Sequence, residues 1–201
     1  MAKAPTSPAL RERYDRRQAQ VVDDAARVFA DRGYDQTSVQ DLSDAIGLAA
    51  GGIYHYFGGK EQLLISICDR LMDPLLDEAR ALTATPGDAA TQLRAVVRLW
   101  VAHALEHRDH MLVFQQERHV IEHGDQWRAV RSNRKAFERL VQDLLARAHA
   151  ERAPGGDRRL LLAALLGMVN HSVQWYRPGG RLKPEQIADG YLDLILPPGS
   201  A

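Results

Sequence analysis

An all-α fold of nine helices, a small helix-turn-helix head ahead of a larger helical body, is what the sequence predicts. Three observations carry this. Apolar residues recur at spacings of three and four with no sustained alternation, as in helices buried along one face. Breaks at Thr85-Pro86-Gly87-Asp88, Ala153-Pro154-Gly155-Gly156-Asp157 and Arg177-Pro178-Gly179-Gly180 mark off helix-length segments. Between Gly33 and Leu64 two short apolar segments flank Gly47, and two short helices about a tight glycine turn can seat one of them in a DNA groove.

The first helix spans about 9–32, with Val21, Val22, Ala25, Ala26, Phe29 and Ala30 on one face and Gly33 ending it. Val39, Leu42, Ala45 and Ile46 form the second, closed by Gly47 in a left-handed turn. Ile53 to Phe57 is the core of the third. The fourth starts near Lys60 and turns Leu63, Leu64, Ile67, Cys68, Leu71, Leu75 and Leu76 inward; Pro74 inside it predicts a bend or a flex point. Asp88 caps a fifth helix over about 88–107. A sixth covers about 109–122, a long seventh 125–150, an eighth 157–176 and a ninth 184–196, with Pro184 in a first-turn position. The first half of the eighth is apolar on all sides and so calls for more than one neighbour. Pro197, Pro198, Gly199 and Ser200 form a tail.

Composition narrows the function. Twenty-six basic and twenty-six acidic residues cancel, which argues against a general nucleic-acid coat protein. Residues 1–20 are locally basic, with Lys3, Arg11, Arg13, Arg16 and Arg17 against Glu12 and Asp15: a phosphate-contacting arm or a solubilising terminus. A lone cysteine, Cys68, excludes a disulfide framework and falls on a core stripe. The longest apolar run, from Leu160 to Val169, is too short to span a membrane, and no signal peptide is visible, so a cytoplasmic protein is expected.

The stretch Gly33–Leu64 resembles the DNA-binding domain of the TetR family of bacterial transcriptional regulators. Gly33, Tyr34, Thr37, Ser38, Val39, Leu42, Ala45, Gly47, Gly51, Ile53, Tyr54, Tyr56, Phe57, Lys60, Glu61 and Leu63 carry the match without a gap. Ala49 and Gly59 depart from it, standing where the family usually has polar helix caps. The resemblance implies that Thr37, Ser38, Tyr54, His55 and Lys60 meet DNA. The chemistry agrees, since hydroxyls and free N–H groups at a helix start hold phosphate. Ala50 suits a thymine methyl, and Gly52 lets the backbone come close. The resemblance also implies a homodimer, paired through its last two helices over a palindromic operator of double-stranded DNA. The division expected is 1–60 for the arm and DNA-binding domain and 61–201 for effector binding and dimerisation.

The body offers no catalytic constellation, and neither a metal nor another cofactor is called for. His103 with His107, and His119 with His123, have i, i+4 spacing but lack a completing ligand set, and Glu117 beside Arg118 reads as a surface or salt-bridged pair rather than an acid/base catalyst. A helical metal-dependent enzyme using them is the rival from another class. Trp100, His103, Met111, Phe114, Asn170, His171, Gln174 and Trp175 mix polar with large apolar groups, which suggests a small-molecule pocket, with Arg118 or Arg177 for a charged ligand. The segment Ser172 to Leu196 resembles TetR-type regulators that answer to acyl-CoA thioesters. A ligand-responsive repressor released by an acyl-CoA is therefore expected, with a drug-like or aromatic effector as the alternative.

Overall fold

The computed structural model describes residues 7–152 and 157–196; the Lys3 end of the arm, most of the 153–157 loop and the Pro197–Ser200 tail lie outside them. Among the described residues there are ten α-helices, one 3-10 turn and no strand: α1 Pro8–Arg32, α2 Val39–Ile46, α3 Ala50–Phe57, α4 Lys60–Thr83, α5 Ala89–Glu106, α6 Arg108–Gln116, α7 Arg118–Ile121, a 3-10 turn Asp125–Trp127, α8 Arg128–Arg152, α9 Arg158–Trp175 and α10 Pro184–Ile195. The expected all-α class holds. The count rises from nine to ten because the expected sixth helix breaks at Glu117, whose φ of −92° and ψ of 19° leave the helical region. Among the described residues no helix is long and apolar enough to cross a membrane.

The chain folds as two compact units. One comprises residues up to Leu71 with Asp109–Val130, the other Met72–Arg108 with residues from Arg131 onward. Phe29, Leu42, Ile53, Phe57, Leu63, Leu64, Ile67 and Cys68 form the first unit's core, joined by Val113, Ile121, Trp127 and Val130. Trp127, in the 3-10 turn, is among the largest fully buried side chains, although no sequence periodicity marks it. Burial pushes the Cys68 thiol well above its usual range, so it acts as a small apolar side chain. α4 runs unbroken through Pro74, which is exposed, so the ring is accommodated on the outer side of the helix.

In the second unit α5, α9 and α10 pack together. Leu93, Val96, Val97, Trp100, Val101 and Ala104 of α5 are buried, as are Ile187, Ala188, Leu192 and Ile195 of α10. Trp100 meets Phe137 of α8 edge-on, with centroids 5.1 Å apart. A polar clamp closes the edge between α5 and α10. Arg98 donates to Asp189 through Nε at 2.8 Å and Nη2 at 2.6 Å, and Arg94 adds Nη1 at 2.8 Å. The Arg98 hydrogen bond, followed by that from Arg94, holds the Asp189 carboxyl below its ordinary value of 3.8.

A carboxyl depressed in the folded state stabilises the fold above its unfolded pKa, and the contribution disappears as pH falls through the lower folded value. Asp189→Asn is therefore expected to lower the melting temperature at neutral pH, and the deficit should shrink below pH 3.8 and in high salt. Thermal melts across pH and salt check this; a deficit independent of both contradicts the clamp.

Candidate nucleic-acid interface

The head is built around the turn from Gly33 to Thr37. Gly33, at φ 83°, ends α1 with its N–H on the Phe29 carbonyl. Glu117 Oε1 accepts the Tyr34 N–H at 3.0 Å. Lys60 Nζ donates to the carbonyls of Tyr34 and Thr37, both at 2.9 Å, and lies 4.2 Å from the Tyr34 ring centroid. Tyr34 also packs edge-on against Phe29, and the Thr37 hydroxyl donates to the Gly33 carbonyl at 2.7 Å. A turn so fastened sets where α2 begins. Ser38 then caps α2 through a reciprocal box: the Asp41 N–H donates to Ser38 Oγ at 3.1 Å, and the Ser38 N–H donates to Asp41 Oδ2 at 2.8 Å. Gly47, left-handed at φ 63°, closes α2.

α3 has no side-chain cap at Ala49, as the departure noted in the sequence requires, and ends on Gly58 at φ 81°. Ile53 and Phe57 anchor it in the core. Its outer face presents Gly51, Tyr54 and His55, with Tyr54 54% exposed. His55 stands edge-on to Tyr56 and Tyr14 at 5.3 and 6.3 Å. Gly52 has a packing reason for its size: a Cβ there would sit 2.8 Å from Leu48 Cγ. Gly51, where a Cβ meets nothing within 4 Å, is the more open glycine. Sequence reasoning missed one feature here. Leu10, Arg13, Tyr14, Arg16, Arg17, Gln20 and Tyr56 line a groove of about 580 Å³ between the first half of α1 and the end of α3, and three arginines border it. The i, i+3, i+4 spacing of those arginines was the available signal.

Two of the expected contacts are turned inward. Thr37 is fully buried, so its hydroxyl has no route to a phosphate. Lys60 spends its ammonium on two backbone carbonyls rather than leaving it to solvent. Glu117, expected to form a surface or salt-bridged pair with Arg118, is buried and serves the turn, while Arg118 donates to Glu122.

The expected effector residues do not form one buried set. Trp100 and His103 are buried in the second unit, His103 with its ring 4.5 Å from that of His107, and Asn170 is half-buried there. His171, Gln174 and Trp175 are exposed, because they fall on the face of α9 opposite Leu165, Val169, Ser172 and Val173. Trp175 and Arg177 line a shallow groove of about 220 Å³ with Tyr176, Gly180, Arg181 and Leu182. In the first unit Met111 is buried, Phe114 packs on the helix-turn-helix core, and the exposed Arg118 donates to Glu122 at 3.2 Å.

The head just described coincides with a match to the model of bacterial regulatory proteins of the tetR family over residues 21–67. Residues 86–197 match the tetracyclin repressor-like C-terminal domain. The chain belongs to the TetR family. It is a helix-turn-helix transcriptional regulator, not an enzyme, and the catalytic rival falls with that. The transcriptional repressor KstR2 of Mycolicibacterium smegmatis is 30% identical over 177 residues, 86% of this chain and 85% of that protein. The ketosteroid regulator KstR2 of Mycobacterium tuberculosis shares the fold at a TM-score of 0.81, with 24% identity over 97% of this chain and 96% of that one. AibR, solved with isovaleryl coenzyme A and operator DNA, superposes at 0.76 with 27% identity over 90% of this chain and 99% of AibR.

Lys60→Ala strips two carbonyls of their charged donor and should destabilise the protein by about 1–3 kcal/mol. Urea unfolding followed by circular dichroism measures this; a midpoint equal to the wild type contradicts the fastening role.

Proposed function

We propose that this TetR-family regulator is a homodimeric repressor. It holds a palindromic operator through α2 and α3 and releases it when an acyl-CoA binds the body. In this reading residues 1–60 are the DNA-binding domain, residues 61–201 bind effector and partner, and the protein works on chromosomal DNA in the cytoplasm.

The observation that carries the dimer is the outward face of α9 and α10. Leu160 is 68% exposed, Leu194 76% and Trp175 44%, and Ala163, Ala164, Gly167 and His171 continue the same exposed stripe of α9. An apolar helix face of this kind is costly in water and is covered when a second copy presents the same stripe about a two-fold axis. Such symmetry spaces two recognition helices by about 34–36 Å, one turn of DNA. His171, Gln174 and Trp175 then belong to the pairing face.

On the operator, Ser38, Ala50, Gly52, Tyr54 and His55 approach the groove, with Arg13, Arg16 and Arg17 along the flanking phosphates. Thr37 and Lys60 act by positioning α2. Few of these side chains bond to base edges, so DNA shape carries much of the selectivity. The acyl-CoA reading is supported by the likeness to AibR and by the resemblance of the Ser172–Leu196 segment to acyl-CoA-responsive regulators. Trp100, His103 and Asn170 in the second unit are its proposed contacts, the Asn170 amide donating to the acyl carbonyl.

Two measurements test the reading. Leu194→Glu should give a folded monomer in sedimentation and abolish tight operator binding, since two opposed charges would be buried in the pair. In anisotropy titrations of the operator complex, an acyl-CoA should release the DNA while free CoA and the free acid do not, and Asn170→Leu should keep DNA binding but blunt release. Release by an uncharged aromatic compound alone would replace the effector and leave the repressor standing.

A further inference from the structure

We propose that Asp35, Glu117 and His119 form a binding site for a divalent transition-metal ion of the zinc class. The site lies wholly within the first unit, on the turn after α1 and the start of α7, and does not depend on the operator or the effector.

The geometry comes first. One donor atom from each residue lies within 4.8 Å of the others. His119 Nε2 stands 3.5 Å from Asp35 Oδ2 and 4.0 Å from Glu117 Oε2. Zinc held at about 2.0–2.2 Å by tetrahedral ligands keeps those ligands roughly 3.4 Å apart. Closing the set requires only that Asp35 and His119 swing inward, and both side chains are 64% exposed and able to do so. Glu117 is the fixed member. Its side chain is 7% exposed, and the Tyr34 N–H on Oε1 aims Oε2 at the other two donors.

The electrostatics point the same way. Two carboxylates this close repel each other, and no lysine or arginine among the described residues pairs with either. Lys60 is spent on backbone carbonyls, and Arg118 turns to Glu122. Among the described residues their ion-pair partner is His119, an imidazole that is a metal ligand in its neutral form. A divalent cation relieves the repulsion between the two carboxylates.

One imidazole and two carboxylates, with a position left for water, suit zinc, cobalt or manganese. Calcium and magnesium prefer sites made entirely of oxygen. A bound ion would tie the turn ahead of α2 to α7 and stabilise the first unit by mass action.

The test is equilibrium dialysis of the full-length protein against zinc chloride, with thermal melts in zinc and in magnesium, and with cobalt absorption as a geometric readout. We expect one zinc per chain, a higher melting temperature in zinc but not in magnesium, and the visible bands of four-coordinate cobalt. Asp35→Asn and His119→Ala, both at exposed positions, should melt like the wild type without metal. Each should lose at least about tenfold in zinc affinity, along with the zinc-dependent rise. No stoichiometric zinc, or zinc binding that survives both substitutions, overturns the proposal.

Discussion

The fastening of the turn from Gly33 to Thr37 is the constraint on which the head depends. Five residues between α1 and α2 receive a buried carboxylate on one N–H, an ammonium on two carbonyls and a threonine hydroxyl on a third. Backbone polar groups withdrawn from water are expensive unless paired, so these partners decide the path of the turn. The path in turn decides where Ser38 caps α2, and α2 with Gly47 decides where α3 is presented. The residues that hold the turn are distant in sequence: Lys60 opens α4, and Glu117 sits at the break between α6 and α7. That explains why α6 and α7 belong to the same compact unit as the helix-turn-helix.

α3 illustrates a helix held more by its anchors than by its own ends. It lacks a side-chain cap, and two adjacent glycines lower its intrinsic propensity. Ile53 and Phe57 bind it to the core, Leu48 closes over Gly52, and the Tyr14–Tyr56 contact, with centroids 4.9 Å apart, ties it to α1. The outer face is consequently small and smooth apart from Tyr54 and His55. Such a surface suits close approach to a backbone better than a dense set of base contacts.

The second unit divides its faces differently. α5 and α10 are joined by burial inside and by the Arg94–Arg98–Asp189 clamp at the edge, which fixes their register through charged hydrogen bonds of defined direction. α9 buries Leu165, Val169, Ser172 and Val173 and leaves Leu160 and Trp175 outside. Its first half reads in the sequence as apolar on all sides. One chain covers only part of that surface, and the uncovered part is the face assigned to pairing in the proposed dimer.

The sequence by itself determined the all-α class, nearly every helix boundary, the helix-turn-helix and the family, because apolar periodicity, glycine turns and short-range caps are local signals. It also placed Cys68 in the core and the capping glycines Gly33 and Gly47 at their turns. The tertiary structure alone decided what the polar residues do. Thr37 and Lys60 look like phosphate contacts in one dimension but turn inward, onto backbone carbonyls of the turn that lie within their reach. His171, Gln174 and Trp175 look like pocket residues among apolar neighbours but fall outside, since a helix turns by about 100° per residue and α9 shows only one face to its own chain. Glu117, Asp35 and His119 meet only because the break after α6 brings them together. Local pattern encodes which segments are helical; where a charge or an amide ends up depends on long-range packing, and no local spacing contains that information.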